Sequence, residues 1–340
     1  MRIGLDVMGG DHAPQEILDG VTPGLAHLDE GDRLVLFGDQ AAIESWMTTN
    51  ECTDSRVEVV ATTEVVAMDE SPVEAVRTKS DSSLVVLCRE ASRKSKHGQL
   101  DVVISAGNTG AFVAAAQMHM RRLASVARPG IAAVIPTFSG PVTFIDVGAN
   151  IEPKPHHLMQ YGVMGSVYAS HMLGIDSPRV GLMNVGGEEN KGTEDLQKAR
   201  DMMRDGDCVN YIGYVEGRVV FDGAADVVVC DGVTGNVTLK LAEGLSSGII
   251  KKIASLAKEE DPKLAEQFKP VLRSLYEEYD YHEYGGAPLL GVNGVCLICH
   301  GSSQARTISN AVRAARKLVA QNINEAISDY LSQSEEEVVA

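Results

Sequence analysis

The chain has 340 residues, 44% of them hydrophobic and 23% charged, which is typical of a soluble globular protein with a sizeable core. Its formal net charge of −17 argues against nucleic acid as the main partner, because neutralising phosphates requires a basic surface. No apolar run reaches the roughly 18 residues of a membrane-spanning helix, and the first apolar stretch, which contains Asp6, predicts a strand rather than a signal peptide, so we expect a cytoplasmic protein.

Strand and helix patterns alternate from the N-terminus to about Leu241. Nine apolar, largely β-branched stretches predict strands. They are Ile3–Met8, Leu34–Phe37, Val57–Val60, Val102–Ile104, Ile131–Val134, Thr143–Val147, Val180–Val185, Val227–Cys230 and Val295–Cys299. This alternation is typical of a largely parallel sheet covered by helices on both faces. We predict a three-layer α/β/α fold in one domain over residues 1–330, followed by an acidic, frayed tail at 331–340.

Six of these strands run into a loop of Gly, Asn, Asp and Ser that opens a helix. Ligands of open α/β sheets collect at the carboxyl ends of strands, and free N–H groups at a helix start hold anions. A single glycine-rich turn is ordinary architecture, but six together predict a crevice for phosphate or another oxyanion. We expect one cleft to be lined by the strand ends that carry Gly9-Gly10, Asn108, Asn150, Lys191, Asn236 and His300.

One segment interrupts the alternation. Apolar residues recur at helical spacing in two stretches, separated by Asp261-Pro262, and predict a helical hairpin over 237–283. The stretches contain Leu241, Leu245, Ile249, Ile253 and Leu256, then Leu264, Phe268, Leu272, Leu275 and Tyr279. Such stripes need a partner, either the sheet or a second copy of the chain. We favour the second copy, and hence a homodimer.

The six cysteines are scattered, as expected of reduced thiols. Cys296–His300 matches the C-x-x-C-H string of haem attachment, but the apolar run predicts a buried strand, so we interpret the match as accidental. A second pair of metal ligands is missing there, and we expect no metal. For Ser302 and Ser303 two interpretations stay open: caps of the following helix, or part of an anion site with His300.

Lys191 lies in a polar, glycine-containing loop before a predicted helix, where its ammonium can face a phosphate or a developing oxyanion. The loop is not a Walker loop, and no G-x-G-x-x-G fingerprint follows the first strand. These absences in the sequence favour a small anionic substrate over a nucleotide.

Seven motifs in order resemble the PlsX family, the phosphate acyltransferases of bacterial phospholipid synthesis. They are Asp6–Asp11, Ser105–Ala111, Asp146–Asn150, Lys191-Gly192, Asp231-Gly232 with Gly235-Asn236, Tyr284–Gly291 and His300–Ser303. The resemblance covers about residues 1–318. It implies a cytoplasmic homodimer with the fold of isopropylmalate dehydrogenase and phosphotransacetylases and with no cofactor. It further implies transfer of a fatty acyl group from acyl carrier protein to inorganic phosphate, giving acyl phosphate for a membrane glycerol-3-phosphate acyltransferase.

Three positions depart from the family pattern: Gly187, Thr193 and Val233. They concern the fine shape of the pocket rather than the reaction class. The family's hairpin is associated with membrane contact, which raises the prospect of a peripheral position at the inner face of the membrane. The charged tip at 258–263 argues against insertion of that tip.

No Ser-His-Asp or Cys-His pair is recognisable, so we expect direct attack of phosphate on the thioester. Lys191 is predicted to stabilise the oxyanion or phosphate, His300 to donate to the departing thiolate or to phosphate, and Asn236 to act with them. Asp146 and Asp231 are expected to orient loops rather than to act as bases. The predicted substrate-binding residues are Gly9, Gly10, Asp11, Asn108, Thr109, Asp146, Asn150, Asn184, Asp231, Ser302 and Ser303.

Acyl carrier protein is acidic, so this acidic chain must meet it with a local basic patch. Our first choice is Arg121, Arg122 and Arg128, and our second is Arg313, Arg316 and Lys317. Two other functions stay open: a short-chain phosphotransacetylase acting on acyl-coenzyme A, and a non-catalytic phosphate-binding regulatory protein.

Overall fold

A computed structural model describes residues 1–92, 94–278 and 285–339. The strands are β1 (Arg2–Asp6), β2 (Arg33–Gly38), β3 (Val57–Ala61), β4 (Val102–Ser105), β5 (Gly130–Thr137), β6 (Gly140–Ile145), β7 (Arg179–Met183), β8 (Asn210–Val215), β9 (Val227–Val229), β10 (Ala287–Leu290) and β11 (Val295–Ile298). The α-helices are α1 (Gln15–Asp19), α2 (Val21–Leu25), α3 (Gln40–Thr49), α4 (Pro72–Thr78), α5 (Ser83–Glu90), α6 (Thr109–His119), α7 (Pro155–Leu173), α8 (Glu194–Asp205), α9 (Gly232–Glu260), α10 (Pro262–Glu278), α11 (Ala305–Ala320) and α12 (Ile323–Val339).

The chain divides into two compact units. Unit 1 comprises Met1–Ala132, Ser170–Gly174 and Tyr284–Ala340, and unit 2 comprises Ala133–Ala169 and Ile175–Glu283. The chain passes between them inside β5, inside α7, after Gly174 and after Glu283, and no change of composition marks the division. This is why the sequence gives no sign of it. That the two units act as one catalytic domain stays a prediction.

Unit 1 is built on strands in the order β3-β2-β1-β4-β11-β10-β5. The first five run parallel, and β10 pairs antiparallel with both neighbours. β1 shows why these residues form a central strand: Ile3 and Leu5 are fully buried among other aliphatic side chains. Because β1, β4 and β11 are parallel neighbours, their carboxyl ends meet at one edge of the sheet.

Unit 2 has its parallel strands in the order β6-β9-β7-β8. Its largest fully buried side chains are Tyr161 of α7 and Phe144 of β6. The carboxyl ends of β6, β9 and β7 lie side by side at one edge. The mostly parallel sheet with flanking helices confirms the predicted fold class.

All nine predicted strands occur, with shifted ends, and two strands escaped the sequence analysis. β8 contains Gly213, at φ 104°, and polar residues that interrupt the apolar pattern. β10 is only four residues long and contains Pro288, which weakens any strand prediction.

The predicted helical hairpin is present as α9 and α10. α9 begins at Gly232, five residues before the predicted start, because the carboxylate of Asp231 accepts hydrogen bonds from its first turn. The stripe on α9 is exposed: Leu241 is 67% accessible and Leu245 59%. Tyr279 and residues 280–283 lie outside the described residues. Among the described residues, no helix is both long and apolar enough to cross a membrane.

Candidate active site

A buried carboxylate organises the loops of unit 1 that follow β1 and β4. Ser105 Oγ donates to Asp6 Oδ2 (2.6 Å) and accepts from Gly107 N–H (3.0 Å), while Met8 N–H donates to Asp6 Oδ1 (3.2 Å). Asp6 and Ser105 are each 1% exposed. Burial raises the pKa of Asp6, and the hydrogen bonds from Ser105 and Ser83 partly oppose this. The buried side chain of Asp6 therefore holds the loops after β1 and β4 in place from the protein interior.

The loops after β1, β4 and β11 are in direct contact through glycine. A Cβ on Gly9 would lie 2.7 Å from Gly107 N, which only a glycine avoids. Asp11 N–H donates to Gly301 O at 2.7 Å. Unit 1 thus brings together three of the six predicted strand ends, those of Gly9-Gly10, Asn108 and His300.

The side chain of Asn108 is fully used within the protein. Its Oδ1 caps α6 by accepting from Ala111 N–H (3.0 Å), and its Nδ2 donates to the carbonyls of Ala67, Met68 and Glu70 at 3.1–3.3 Å. The structure therefore gives Asn108 a scaffolding role in place of the predicted polar clamp. The backbone N–H groups of Thr109 and Gly110, at the start of α6, are not those that Asn108 caps and are positioned, as at any helix start, to donate to an anion.

His300 is exposed and has a defined tautomer. Its Nδ1 accepts from Ser302 N–H (3.2 Å) and contacts Ser302 Oγ at 2.7 Å, so the proton of the neutral ring is on Nε2. Ser303 is 1% exposed, and its Oγ bonds to no described residue. The imidazole is therefore oriented as an Nε2–H donor, the form that the predicted role requires.

Of the two interpretations left open for Ser302 and Ser303, the structure does not support the serine cap of α11. The N-cap residue is Gln304, whose side chain makes no capping bond. The carboxylate of Glu16 takes this place by accepting from Ala305 N–H at 3.0 Å. The sequence could not reveal this, because Glu16 comes from a helix 289 residues earlier.

In unit 2, two aspartates shape the loops as predicted. Asp146, fully buried, accepts from the N–H groups of Gly148, Ala149 and Asn150 at 2.7–3.1 Å. Asp231 caps α9 by accepting from its first N–H groups. The amide of Asn150 also donates to Asp146 (3.1 Å), so this predicted clamp has a scaffolding role too.

The Lys191 loop is held by hydrogen bonds from α8, although Lys191 itself is exposed. Arg200 donates to Glu189 O, and Gln197 Nε2 donates to Asn190 O at 3.2 Å, so two side chains of α8 hold the loop. The sequence analysis missed both, since neither contact has a recognisable motif. No described residue makes an ion pair or side-chain hydrogen bond with the Lys191 ammonium, which leaves it available to an anion.

Asn184 lies beneath the turn after Lys191. Gly192 adopts φ 86°, and a Cβ there would meet Asn184 Oδ1 at 2.8 Å. Asn184 is 8% exposed, and its Nδ2 bonds to no described residue. Asn236, half-buried in the second turn of α9, is likewise without a side-chain bond to the described residues; a Cβ on Gly148 would lie 3.9 Å from its Cβ. Within unit 2, the loop of Asn150 therefore contacts the start of α9, which carries Asn236, while the Lys191 loop follows β7, the next strand in the sheet.

Four helices begin within three residues of a predicted site residue, and three of them have carboxylates at their N-termini. The three helices with carboxylates are α8, with Glu194 and Asp195 in its first turn, α9, with Asp231, and α11, with Glu16. α6 has no acidic residue in its first turn and is capped by the neutral Asn108. α7 starts farther from Asn150, at Pro155, which lacks an N–H. The start of α6 is therefore the helix terminus best suited to an anion.

The basic residues predicted to dock the carrier lie away from this point. Arg121 and Arg122 follow the C-terminal end of α6, whose 11 residues span about 16 Å. Arg128 follows them in the chain, before β5. Of the second choice, Arg316 binds His27 O and Asp29, and Lys317 donates to Met172 O (2.7 Å), so both have structural partners.

The cysteines of the C-x-x-C-H string are buried free thiols. Cys296 is 1% exposed and Cys299 2%, and burial raises the pKa of Cys299 to about 12. Neither thiol is presented at the surface for covalent attachment.

Comparison with known proteins decides the family. Residues 1–326 match the family model described as "Fatty acid synthesis protein". The sequence is 46% identical to the phosphate acyltransferase of Heliobacterium modesticaldum, over 97% of this chain and 98% of that protein. It is 41% identical to the phosphate acyltransferase of Bacillus subtilis, with 98% of each covered. The chain belongs to the phosphate acyltransferase (PlsX) family. It is an acyltransferase, as the sequence motifs predict.

Solved structures of similar fold are phosphotransacetylases. That of Streptococcus pyogenes superposes with a TM-score of 0.62 at 16% identity, covering 94% of both chains. EutD phosphotransacetylase of Staphylococcus aureus gives 0.56 at 14% identity, again with 94% of both covered. At such identities the likeness extends to the fold alone, and the PlsX chain shares that fold.

Proposed function

We propose that this PlsX-family enzyme transfers a long-chain fatty acyl group from acyl carrier protein to inorganic phosphate and releases acyl phosphate for phospholipid synthesis. The observation that carries the proposal is the near full-length identity with proteins named phosphate acyltransferase. The geometry adds support, because both units present glycine-rich loops and unpaired donors suited to an oxyanion.

Phosphate binds, in this proposal, at the start of α6. The N–H groups of Thr109 and Gly110 point out of the first turn, and the helix dipole favours an anion there. Gly9 and Gly10 have no side chains and so leave space between the loops after β1, β4 and β11. Asp11, Ser302 and Ser303 provide polar side chains in these loops.

The reaction needs no strong base, because phosphate is already anionic. One oxygen of hydrogen phosphate forms a bond to the thioester carbon, the C–S bond breaks, and the phosphate proton ends on the departing sulfur. Lys191 stabilises the oxyanion of the tetrahedral intermediate, a contribution of about 3 kcal/mol for one well-aimed donor. His300, with its proton on Nε2, hands that proton to the thiolate and recovers one from phosphate. Asn236 orients the carbonyl through its unbonded amide.

Asp146 and Asp231 orient loops in this scheme and transfer no proton. Both accept several backbone N–H bonds, which hold the loops around each carboxylate in place. The buried Asp6 has the same supporting role beneath the loops of unit 1.

Assembly and location follow the same proposal. The exposed stripe of α9 supports a homodimer in which the hairpin of a second copy covers it. We place the enzyme in the cytoplasm, with peripheral contact to the inner face of the membrane where the product is consumed. Arg121, Arg122 and Arg128 remain our carrier-docking patch, on the condition that the carrier's prosthetic arm spans the length of α6.

The decisive experiment is detection of acyl phosphate by mass spectrometry after mixing the purified chain, palmitoyl-carrier protein and phosphate. A parallel reaction with acetyl-coenzyme A tests the short-chain alternative. We expect product from the first mixture and little from the second. Product from acetyl-coenzyme A alone would make the enzyme a short-chain phosphotransacetylase, and phosphate binding without any product would make it a regulatory protein.

A further inference from the structure

Three exposed apolar side chains cluster in the segment from Val65 to Val73. Val65 is 40% accessible, Met68 46% and Val73 51%. Isolated exposed apolar residues are normal, but three within nine residues make this segment a candidate contact surface.

The backbone of this segment is held from several sides, so the exposure is not a result of poor packing. Asn108 Nδ2 donates to the carbonyls of Met68 (3.1 Å) and Glu70 (3.2 Å). Lys79 Nζ donates to Val65 O (2.7 Å) and pairs with the Glu70 carboxylate (2.6 Å). The Lys79 ammonium and the Glu70 carboxylate therefore neutralise each other, and the exposed Asp69 is the charged residue that stands beside Met68.

The segment adjoins the loops of the candidate active site within unit 1. A Cβ built on Gly301, next to His300, would lie 3.0 Å from Met68 Cε. A Cβ on Gly110, in the first turn of α6, would lie 2.7 Å from Pro72 Cγ. Met68 therefore lies between the start of α6 and the His300 loop, the two places to which the proposed function assigns phosphate and the proton donor.

We propose that Met68, with Val65 and Val73, forms the binding surface for the acyl chain of the donor. This inference rests on the proposed function, and it names where the chain goes. A thioester-linked alkyl chain is uncharged and must leave the reaction centre in one direction. This surface begins beside His300, since the Met68 thioether reaches Gly301, and its three exposed apolar side chains offer contacts to an alkyl chain. Methionine suits such a role, because its flexible thioether adapts to chains of different length.

The first test compares Met68→Ser with Met118→Ser. Met118 is also 46% accessible and lies in unit 1, but near the other end of α6, so it is a matched control. Kinetics are measured with palmitoyl- and butanoyl-carrier protein. Met68→Ser should reduce the palmitoyl-to-butanoyl ratio of kcat/KM by roughly tenfold, because the lost contact serves the long chain. Met118→Ser should leave the ratio unchanged. An unchanged ratio in Met68→Ser would overturn the proposal, as would an equal change in both variants.

A second readout does not depend on turnover. A palmitoyl-pantetheine thioether with a diazirine in its chain is irradiated with the full-length protein, and the labelled peptides are identified. Labelling of residues 64–73 that is reduced by Met68→Ser supports the proposal. It does so even if the wild type forms no acyl phosphate, since that result would contradict only the proposed function. Label confined to the exposed stripe of α9 would overturn it. So would dissociation of an oligomer by Met68→Ser, since a second copy would then cover the surface.

Discussion

Replacing Ser105 with Ala removes a hydroxyl that serves two buried partners at once. It donates to Asp6 Oδ2 at 2.6 Å and accepts from Gly107 N–H at 3.0 Å. A hydrogen bond to a charged group contributes about 1.5–3 kcal/mol, and an unsatisfied buried N–H costs about 1–3 kcal/mol. Because Asp6 keeps its bond from Met8 N–H, we expect the free energy of unfolding of unit 1 to fall by about 3 kcal/mol.

The size of this loss should depend on pH, with a sign that follows from Asp6. Burial raises the pKa of Asp6 above its ordinary value, so the ionised carboxylate is disfavoured in the folded protein. Stability from this group is complete at low pH and declines as pH rises through the raised pKa. Removing the Ser105 hydroxyl raises that pKa further. Ser105→Ala should therefore be more destabilising at neutral pH than in the acid range, where Asp6 is protonated in both proteins.

Thr62→Val is the matched control. Thr62 is 5% exposed, and its hydroxyl bonds to no described residue, so its loss should cost less than about 1 kcal/mol or even stabilise. Urea unfolding followed by fluorescence of Trp46, the single tryptophan, reports on unit 1. If Ser105→Ala and Thr62→Val unfold within about 1 kcal/mol of each other at neutral pH, the supporting role of the Asp6 carboxylate is wrong.

Two further substitutions test how the helices support the site. Arg200→Ala should slow turnover by about tenfold, because it releases the Lys191 loop, and it should have no further effect in a Lys191→Ala background. The exposed Arg204→Ala is the control, and an equal loss of turnover in the two single variants would contradict this role of Arg200. Glu16→Gln should weaken the N-terminus of α11 at Ala305 by about 0.5–1 kcal/mol, seen as a lower melting temperature, and leave KM for phosphate unchanged. A lower KM would mean that α11, rather than α6, binds phosphate.

The sequence predicted the parts of the site that depend on local patterns. Strands such as β1 and β4 are short apolar runs, and the loops after them are marked by glycine, as at Gly9-Gly10 and Gly107. Each of these patterns extends over only a few residues, so it can be recognised without knowledge of the tertiary structure. The helical hairpin was predicted for the same reason, from periodicity alone.

The parts that escaped prediction depend on contacts between distant residues. Glu16 reaches α11 across 289 residues, and Ser105 reaches Asp6 across 99. Asn108 illustrates the reverse error: its residue type predicted a substrate clamp, but carbonyls about 40 residues away occupy its amide. Side-chain chemistry alone cannot distinguish a donor aimed at a ligand from one already used by the fold.

Carboxylates at helix N-termini give a physical account of where a phosphate dianion can bind in so acidic a chain. Each carboxylate at a first turn stabilises its helix through the dipole, and each also repels phosphate from that turn. α8, α9 and α11 are stabilised in this way, by residues of their own or, for α11, by Glu16. α6 is capped instead by Asn108, which supplies an acceptor without a charge. A neutral cap gives up part of the electrostatic stabilisation of the helix and leaves its positive end open to a substrate. In the proposed function, Asn rather than Asp at position 108 therefore connects the local stability of α6 to the binding of phosphate.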